Sequence, residues 1–394
     1  MEEEIKRKLD SSVPEHITLS EEQKSEILTE ARHRVSSEEK RQKRMLKPIL
    51  VGVAIIGLSG ILSYPYVKDW REQAGISSSV KEESLRKVMI EGHDYNALIN
   101  SIYDEKTDSM IYTDNKAIYT YSLTSNKKTI LVAPKENVLI TEVLLNEKWF
   151  VWDELYSEND NGHASIHILN RESNETFVME ETLQADLQLD GDYLVRLSFD
   201  EQGAVPSYRI LDLETLKETL VHELIGEGTN SRASFNDGLL VIPERLTDNE
   251  QKTVKFFVYD VYKNVKIGEY IVPYEYSLNV TVTRDKIFTQ LLNEDDPSIL
   301  AYIDLESGEL NKIGTPTFQD YAVFGDYVAL SVPKKKSDTV ELYKIEGTKV
   351  KKMSTFNRVK ERLVKPRFTV NGMLIVNGEG EKFPMYLQDV RNME

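Results

Sequence analysis

From about residue 84 to its end the chain repeats one alternation of apolar and polar positions. Short apolar runs recur at Met110, Trp149, Tyr193, Leu239, Ile287, Tyr327 and Met373, and from Trp149 onward the intervals are 44, 46, 48, 40 and 46 residues. Several follow Gly191-Asp192, Asp237-Gly238, Gly325-Asp326 or Asn371-Gly372. These pairs suit hairpin turns that need positive φ. A second run follows each first one, as in Ile118 to Leu123, Ser165 to Leu169, Ser207 to Asp212, Phe256 to Val261, Ile299 to Asp304, Val340 to Ile345 and Met385 to Asp389. Tyr121, Tyr259, Tyr302 and Tyr343 fall at matching places in four of these second runs. Polar turns such as Asp304-Leu-Glu-Ser-Gly-Glu come next, then a short further strand. A period in the forties with four strands per unit predicts propeller blades. About seven units fit over residues 88–394. The last has little chain after Asp389, so a segment before the first blade is expected to supply its outer strand and leave no free edge. An array of β-sandwiches is the alternative, but separate sandwiches have no reason to keep one period.

The N-terminal part follows other periods. Pro48 to Val67 holds no charged residue. At about 1.5 Å per residue it would span about 30 Å, the thickness of a bilayer core. Lys40, Arg41, Lys43, Arg44 and Lys47 precede it, and a mixed Lys68-Asp69-Trp70-Arg71-Glu72 follows. By the positive-inside rule the N-terminus is cytoplasmic and the repeat domain extracytoplasmic. A buried core helix and a cleaved signal peptide compete with this reading. The asymmetric basic flank disfavours the first, and the long basic region without a small-x-small cleavage site disfavours the second. The expected organisation is a cytoplasmic helical tail (1–47), a transmembrane helix (48–67), a linker (68–87) and an all-β propeller ectodomain (88–394).

Within the tail, Ser20-Glu21-Glu22-Gln23 forms a capping box that predicts a helix over about 21–35. Ile27, Leu28, Ala31 and Val35 fall on one face of it and are the candidate partner-binding residues. A helix this short is marginal alone, so the stripe calls for a partner, a membrane surface or a second copy; a solvated tail is the bland alternative.

Composition removes several chemistries. No cysteine is present, which excludes disulfides, thiol nucleophiles and Cys-based zinc sites. The net charge is −17, and the tail's 11 acidic and 11 basic residues cancel, so the surplus lies beyond residue 47. An acidic domain argues against nucleic acid as a partner. His163 and His167 in GHASIH sit on a turn and a strand, not on a helix at metal-ligand spacing. His93 and His222 stand apart. Asn159 to Asn161 and Asn293 to Asp296 match no calcium-loop spacing. No nucleophile elbow, phosphate loop or dinucleotide fingerprint occurs. We therefore expect no catalytic, cofactor or metal site and no enzymatic activity.

The stretch from Ile5 to Arg44, followed by one apolar helix and an extracytoplasmic domain, resembles membrane-bound anti-sigma factors of Gram-positive bacteria. It lacks the Cys ligands of that family's zinc-containing branch. The resemblance implies that the tail holds a cytoplasmic sigma factor or another regulator. The repeats, above all DLESGEL at Asp304 to Leu310, resemble propellers of the TolB and quinoprotein-like type. Together they imply a membrane-anchored regulatory sensor whose propeller recognises an extracytoplasmic protein or polymer. The competing expectation is an envelope-binding scaffold whose tail serves only as an anchor.

Overall fold

In the computed structural model the described residues run from 85 onward, apart from 94, 157–162, 182, 200–204, 229–230, 249–250, 295, 335–337, 357–358, 381, 392 and 394. The expected tail helix with Ile27, Leu28, Ala31 and Val35, and the apolar stretch 48–67, lie outside them. Among the described residues no helix is long and apolar enough to cross a membrane.

Seven antiparallel sheets form the domain, and in six of them the strands follow chain order from the inside outward. Blade 3 is representative: Leu183–Asp190, Tyr193–Phe199, Ser207–Asp212 and Lys217–Glu223 pair in sequence. The fold is a seven-bladed β-propeller. Its inner strands touch one another in succession from blade 1 to blade 7. The Arg367 Nε donating to the Ser101 carbonyl at 2.9 Å joins blade 7 back to blade 1.

Blade 7 takes its outermost strand from the N-terminal side. Arg86–Val88 pairs antiparallel with Met385–Asp389, Lys87 standing opposite Tyr386. Val88 and Ile90 are then buried with Ile375 and Leu387 beside Leu98 and Met110 of blade 1. The ring is closed by two distant parts of the chain, so no sheet edge interrupts it.

The core lies between blades, because each sheet is apolar on both faces. Val241, Phe256 and Val258 of blade 4 pack on Ile287, Ala301 and Ile303 of blade 5. Phe288, Leu300 and Tyr302 of blade 5 pack in turn on Val328 and Leu330 of blade 6. Tyr302 thus departs from the expected match. It stands opposite Phe288, the third residue of its second strand, whereas Tyr121, Tyr259 and Tyr343 stand opposite the second residue of theirs. A shift of one residue turns a side chain to the other face of the sheet.

The turns are as their composition requires. Gly191, Asp237, Gly238, Gly325 and Gly372 all have positive φ between the first two strands of their blades. After the third strand, Asp212 Oδ1 accepts from the N–H groups of Glu214 and Thr215, Asp304 Oδ1 from those of Glu306 and Ser307, and Asn170 Oδ1 from those of Glu172 and Ser173. DLESGEL is therefore a side-chain-capped turn, and its recurrence reflects hairpin geometry rather than ligand chemistry.

Candidate functional site

The two ends of the propeller differ. One carries the tight turns just described. The other carries the longer loops between second and third strands and the connections between blades. The inner strands begin at this loop face, and there they are irregular. In blades 3, 5 and 7 they bulge at Asp186, Asn279 and Lys365, each with φ above 50°. Asp and Asn tolerate that region because a short polar side chain bonds locally. In blades 2 and 4 the inner strand is split into Val138–Leu139 with Val143–Leu145, and Glu227–Gly228 with Ser234–Asn236.

Strand register makes these irregularities equivalent. In every blade one inner-strand residue faces the third residue of the second strand, and the residue two before it is polar. The set is Asn100, Glu142, Asp186, Arg232, Asn279, Asp320 and Lys365. The intervals are 42, 44, 46, 47, 41 and 45 residues, the blade period again. One polar residue from each blade thus stands at the same register position, near the loop-side end of the inner strand.

Part of this rim holds the ring together. Glu142 accepts from the Leu187 N–H of the next blade at 3.0 Å, and Asp186 from the Ala233 N–H of the blade after it at 2.7 Å. Ser231 accepts from Val280 N–H at 2.9 Å in the same manner. Each contact satisfies a backbone donor that a broken or bulged strand leaves without a ladder partner. Asp186 also accepts from the Tyr208 hydroxyl at 2.7 Å, and Arg232 pairs with Glu142. Asn279, Asp320 and Lys365 form a second group: Asn279 Nδ2 donates to Asp320 at 3.1 Å, and Lys365 Nζ lies 3.8 Å from it. Asn279 and Lys365 are exposed.

Burial pushes the Glu142 and Asp186 carboxyls above the ordinary carboxylate range, against the pull of Arg232 on both. Burial also raises Asp320, with Lys365 opposing. A carboxyl raised in the fold binds its proton more tightly folded than unfolded. Its contribution to stability is therefore greatest below its unfolded value, near 4, and falls as pH rises through the folded one. Arg232 offsets this loss. Arg232→Ala is accordingly expected to lower the thermal midpoint more at pH 7.5 than at pH 5, where the carboxyls are closer to neutral. Equal losses at both values would show that Glu142 and Asp186 do not depend on the guanidinium.

Deeper carboxylates on the same side brace the blade connections. Glu244, 1% exposed, accepts from the N–H groups of Ile225 and Gly226 at 2.7 and 2.6 Å and from His222 Nε2 at 2.5 Å. His222 Nδ1 meets the Tyr259 hydroxyl at 2.7 Å. Glu154 holds the equivalent place in blade 2, with Lys135 Nζ at 2.7 Å and His167 Nε2 at 3.3 Å. His167 stacks on Trp152 with ring centroids 4.8 Å apart. His93 contacts Tyr112 and Tyr119 edge-on, each at 4.8 Å. The side chain of His163 lies outside the described residues. Among the described residues no group of three His, Asp or Glu side chains could hold a metal ion. In the second acidic cluster, Asn293 bonds Asp296 at 3.0 Å within its own turn, and Glu294 lies 3.6 Å from Lys252.

The rim escaped the sequence reading because Asn, Glu, Asp, Arg, Asn, Asp and Lys share no residue type. Only the 40-odd residue spacing links them, and it emerges once register is known.

No protein-family model matches the sequence, and no curated protein matches it. Solved structures do. An acylaminoacyl peptidase in complex with Z-Gly-Gly-Phe-chloromethyl ketone is similar with a TM-score of 0.51 at 15% identity, over 62% of this chain and 44% of that one. Pyrococcus horikoshii acylaminoacyl peptidase gives 0.51 at 14%, over 64% of this chain and 45% of the other. The chain thus spans less than half the length of these peptidases. A chain of the mitotic checkpoint complex gives 0.50 at 11%, over 82% of this chain and 99% of that one. At such identities the likeness is one of fold.

Proposed function

We propose that the propeller is a recognition module and that the chain is a membrane-anchored regulator, with the propeller outside the cell and the tail holding a cytoplasmic partner. The observation that carries the recognition reading is the rim. One polar residue per blade, of both charge signs, stands at the loop-side end of the inner strands, with Asn100, Asn279 and Lys365 exposed there. Fixed hydrogen-bond groups on a rigid ring suit selective binding of a protein or polymer. The rim supplies no nucleophile beside a base, so binding rather than bond cleavage is its chemistry.

The regulatory part rests on the sequence. Ile27, Leu28, Ala31 and Val35 would bury against a partner such as a sigma factor, and the apolar stretch 48–67 would hold that partner at the membrane. Leu28→Asp with Ala31→Asp is expected to abolish capture of the cytoplasmic partner. It should leave the thermal midpoint of the propeller unchanged. The measurement is a pull-down from detergent-solubilised membranes, with a chain lacking residues 2–40 beside the full one. A cytoplasmic regulator recovered only with the intact tail supports the reading. Identical, wholly extracytoplasmic partners from both chains would sink it and leave an envelope-binding scaffold.

A further inference from the structure

The charge of the domain is unevenly spread. Residues 334–367, in blades 6 and 7, carry twelve Lys and Arg against four Asp and Glu, within a chain whose net charge is −17. The structure brings several of these cations close together. Lys344 and Lys351 stand directly opposite each other on neighbouring strands, Thr339–Glu346 and Lys349–Thr355. Like charges at such positions repel. Lys334 and Lys352 both approach one oxygen of the buried Glu341 at 2.8 Å, so two ammonium groups share a single carboxylate. Among the described residues no carboxylate lies within ion-pair distance of Lys349, Lys351 or Lys360, and all three are exposed. By contrast, Arg362 of the same segment is held by Asp338 and Glu379 at 2.6 Å each. Among the described residues, the exposed cations of this segment without an ion pair are Lys349, Lys351 and Lys360.

We infer that this belt binds a linear phosphate polyanion along the outer strand of blade 6 and onto the loop face toward blade 7. The inference is independent of the rim and of the tail. Three features select this occupant. Lys349 and Lys351 are two residues apart on one side of a strand, a spacing of about 7 Å that a chain with repeating charges can match. Lys349 and Lys351 lie beside the Gly347 turn at one end of the propeller, and Lys360 lies beyond the far end of the same strand. The belt therefore runs down roughly 20 Å of strand, a depth that a flat bilayer resting on one face does not follow and a flexible chain does. Lysine is a point charge with three donors that can follow the oxygens of a flexible phosphate chain without a fixed fork geometry.

The test uses full-length protein in a neutral detergent with inorganic polyphosphate as the probe, read by fluorescence anisotropy over a salt series. Binding is expected to weaken linearly in the logarithm of salt concentration. Lys349→Glu with Lys351→Glu should weaken it by about ten-fold or more and reduce the salt slope by roughly 1 per lysine. Lys116→Glu with Lys127→Glu, exposed on blade 1, should change it little. The milder Lys349→Gln with Lys351→Gln, checked for an unchanged melting curve, separates lost contacts from a folding defect. No binding, or equal loss from the blade 1 variant, would overturn the inference. Preference for poly-glutamate or for anionic vesicles over polyphosphate would overturn it too.

Discussion

Glu244→Ala is expected to destabilise the propeller by about 3–5 kcal/mol, the range for leaving a buried charged site without its partner. The carboxylate is almost fully enclosed and accepts two backbone N–H bonds from the blade 3 to blade 4 connection as well as one from His222. Truncation leaves three donors facing a void. Glu244→Gln keeps the volume but turns two acceptors into one and places amide hydrogens toward N–H donors, so an intermediate loss is expected. Urea unfolding followed by tryptophan fluorescence measures both. A loss under about 1 kcal/mol for the alanine variant would mean that water replaces the carboxylate and that the connection is held by other contacts.

Val88→Asp should be as damaging, for a topological reason. Val88 is 5% exposed in a three-residue strand that completes blade 7. A charge there has no partner within the cluster formed with Ile90, Leu98, Met110 and Leu387. The expected cost is at least about 4 kcal/mol, the level reached when an unpaired charge is buried. Because the strand also covers the edge of Met385–Asp389, its release would expose an unpaired ladder, and faster proteolysis of blade 7 and self-association should accompany the loss. Arg86→Ala provides the contrast. Arg86 bonds Asp108 at 2.7 Å, but both side chains are substantially exposed, so about 0–1 kcal/mol is expected. If Val88→Asp behaved like Arg86→Ala, the closure would contribute little to ring stability.

The carboxylates also set the acid limit of the fold. Burial alone would raise Glu341, but hydrogen bonds from Lys334, Lys352 and Tyr343 hold it at about 2. A depressed carboxyl contributes stability that is complete above its unfolded value, near 4.5, and is lost as pH falls toward 2. Glu142 and Asp186 act with the opposite sign, as their raised values require.

Much of this architecture was legible in the residues themselves. The blade count, the second and third strands of each blade and the closure by an N-terminal segment follow from alternation, turn residues and period. Those signals are local: whether a residue fits a pleated strand or a positive-φ turn depends on its own side chain and a few neighbours. Tyr302 marks where local reading stops. Its place in the sequence pattern looks equivalent to that of Tyr259, yet one step of register sends it to the other face of its sheet. The rim and the lysine belt lie further beyond that limit. Asn100 and Lys365 have nothing in common as residue types, and Lys344 and Lys351 become opposed only when two strands pair. Sequence by itself determined the repeat, the turns and the apolar faces, because burial and backbone propensity act residue by residue. Tertiary structure alone decided which polar groups stand at one level of the ring and which charges confront one another, because those depend on register and on the curvature that brings seven sheets around one axis.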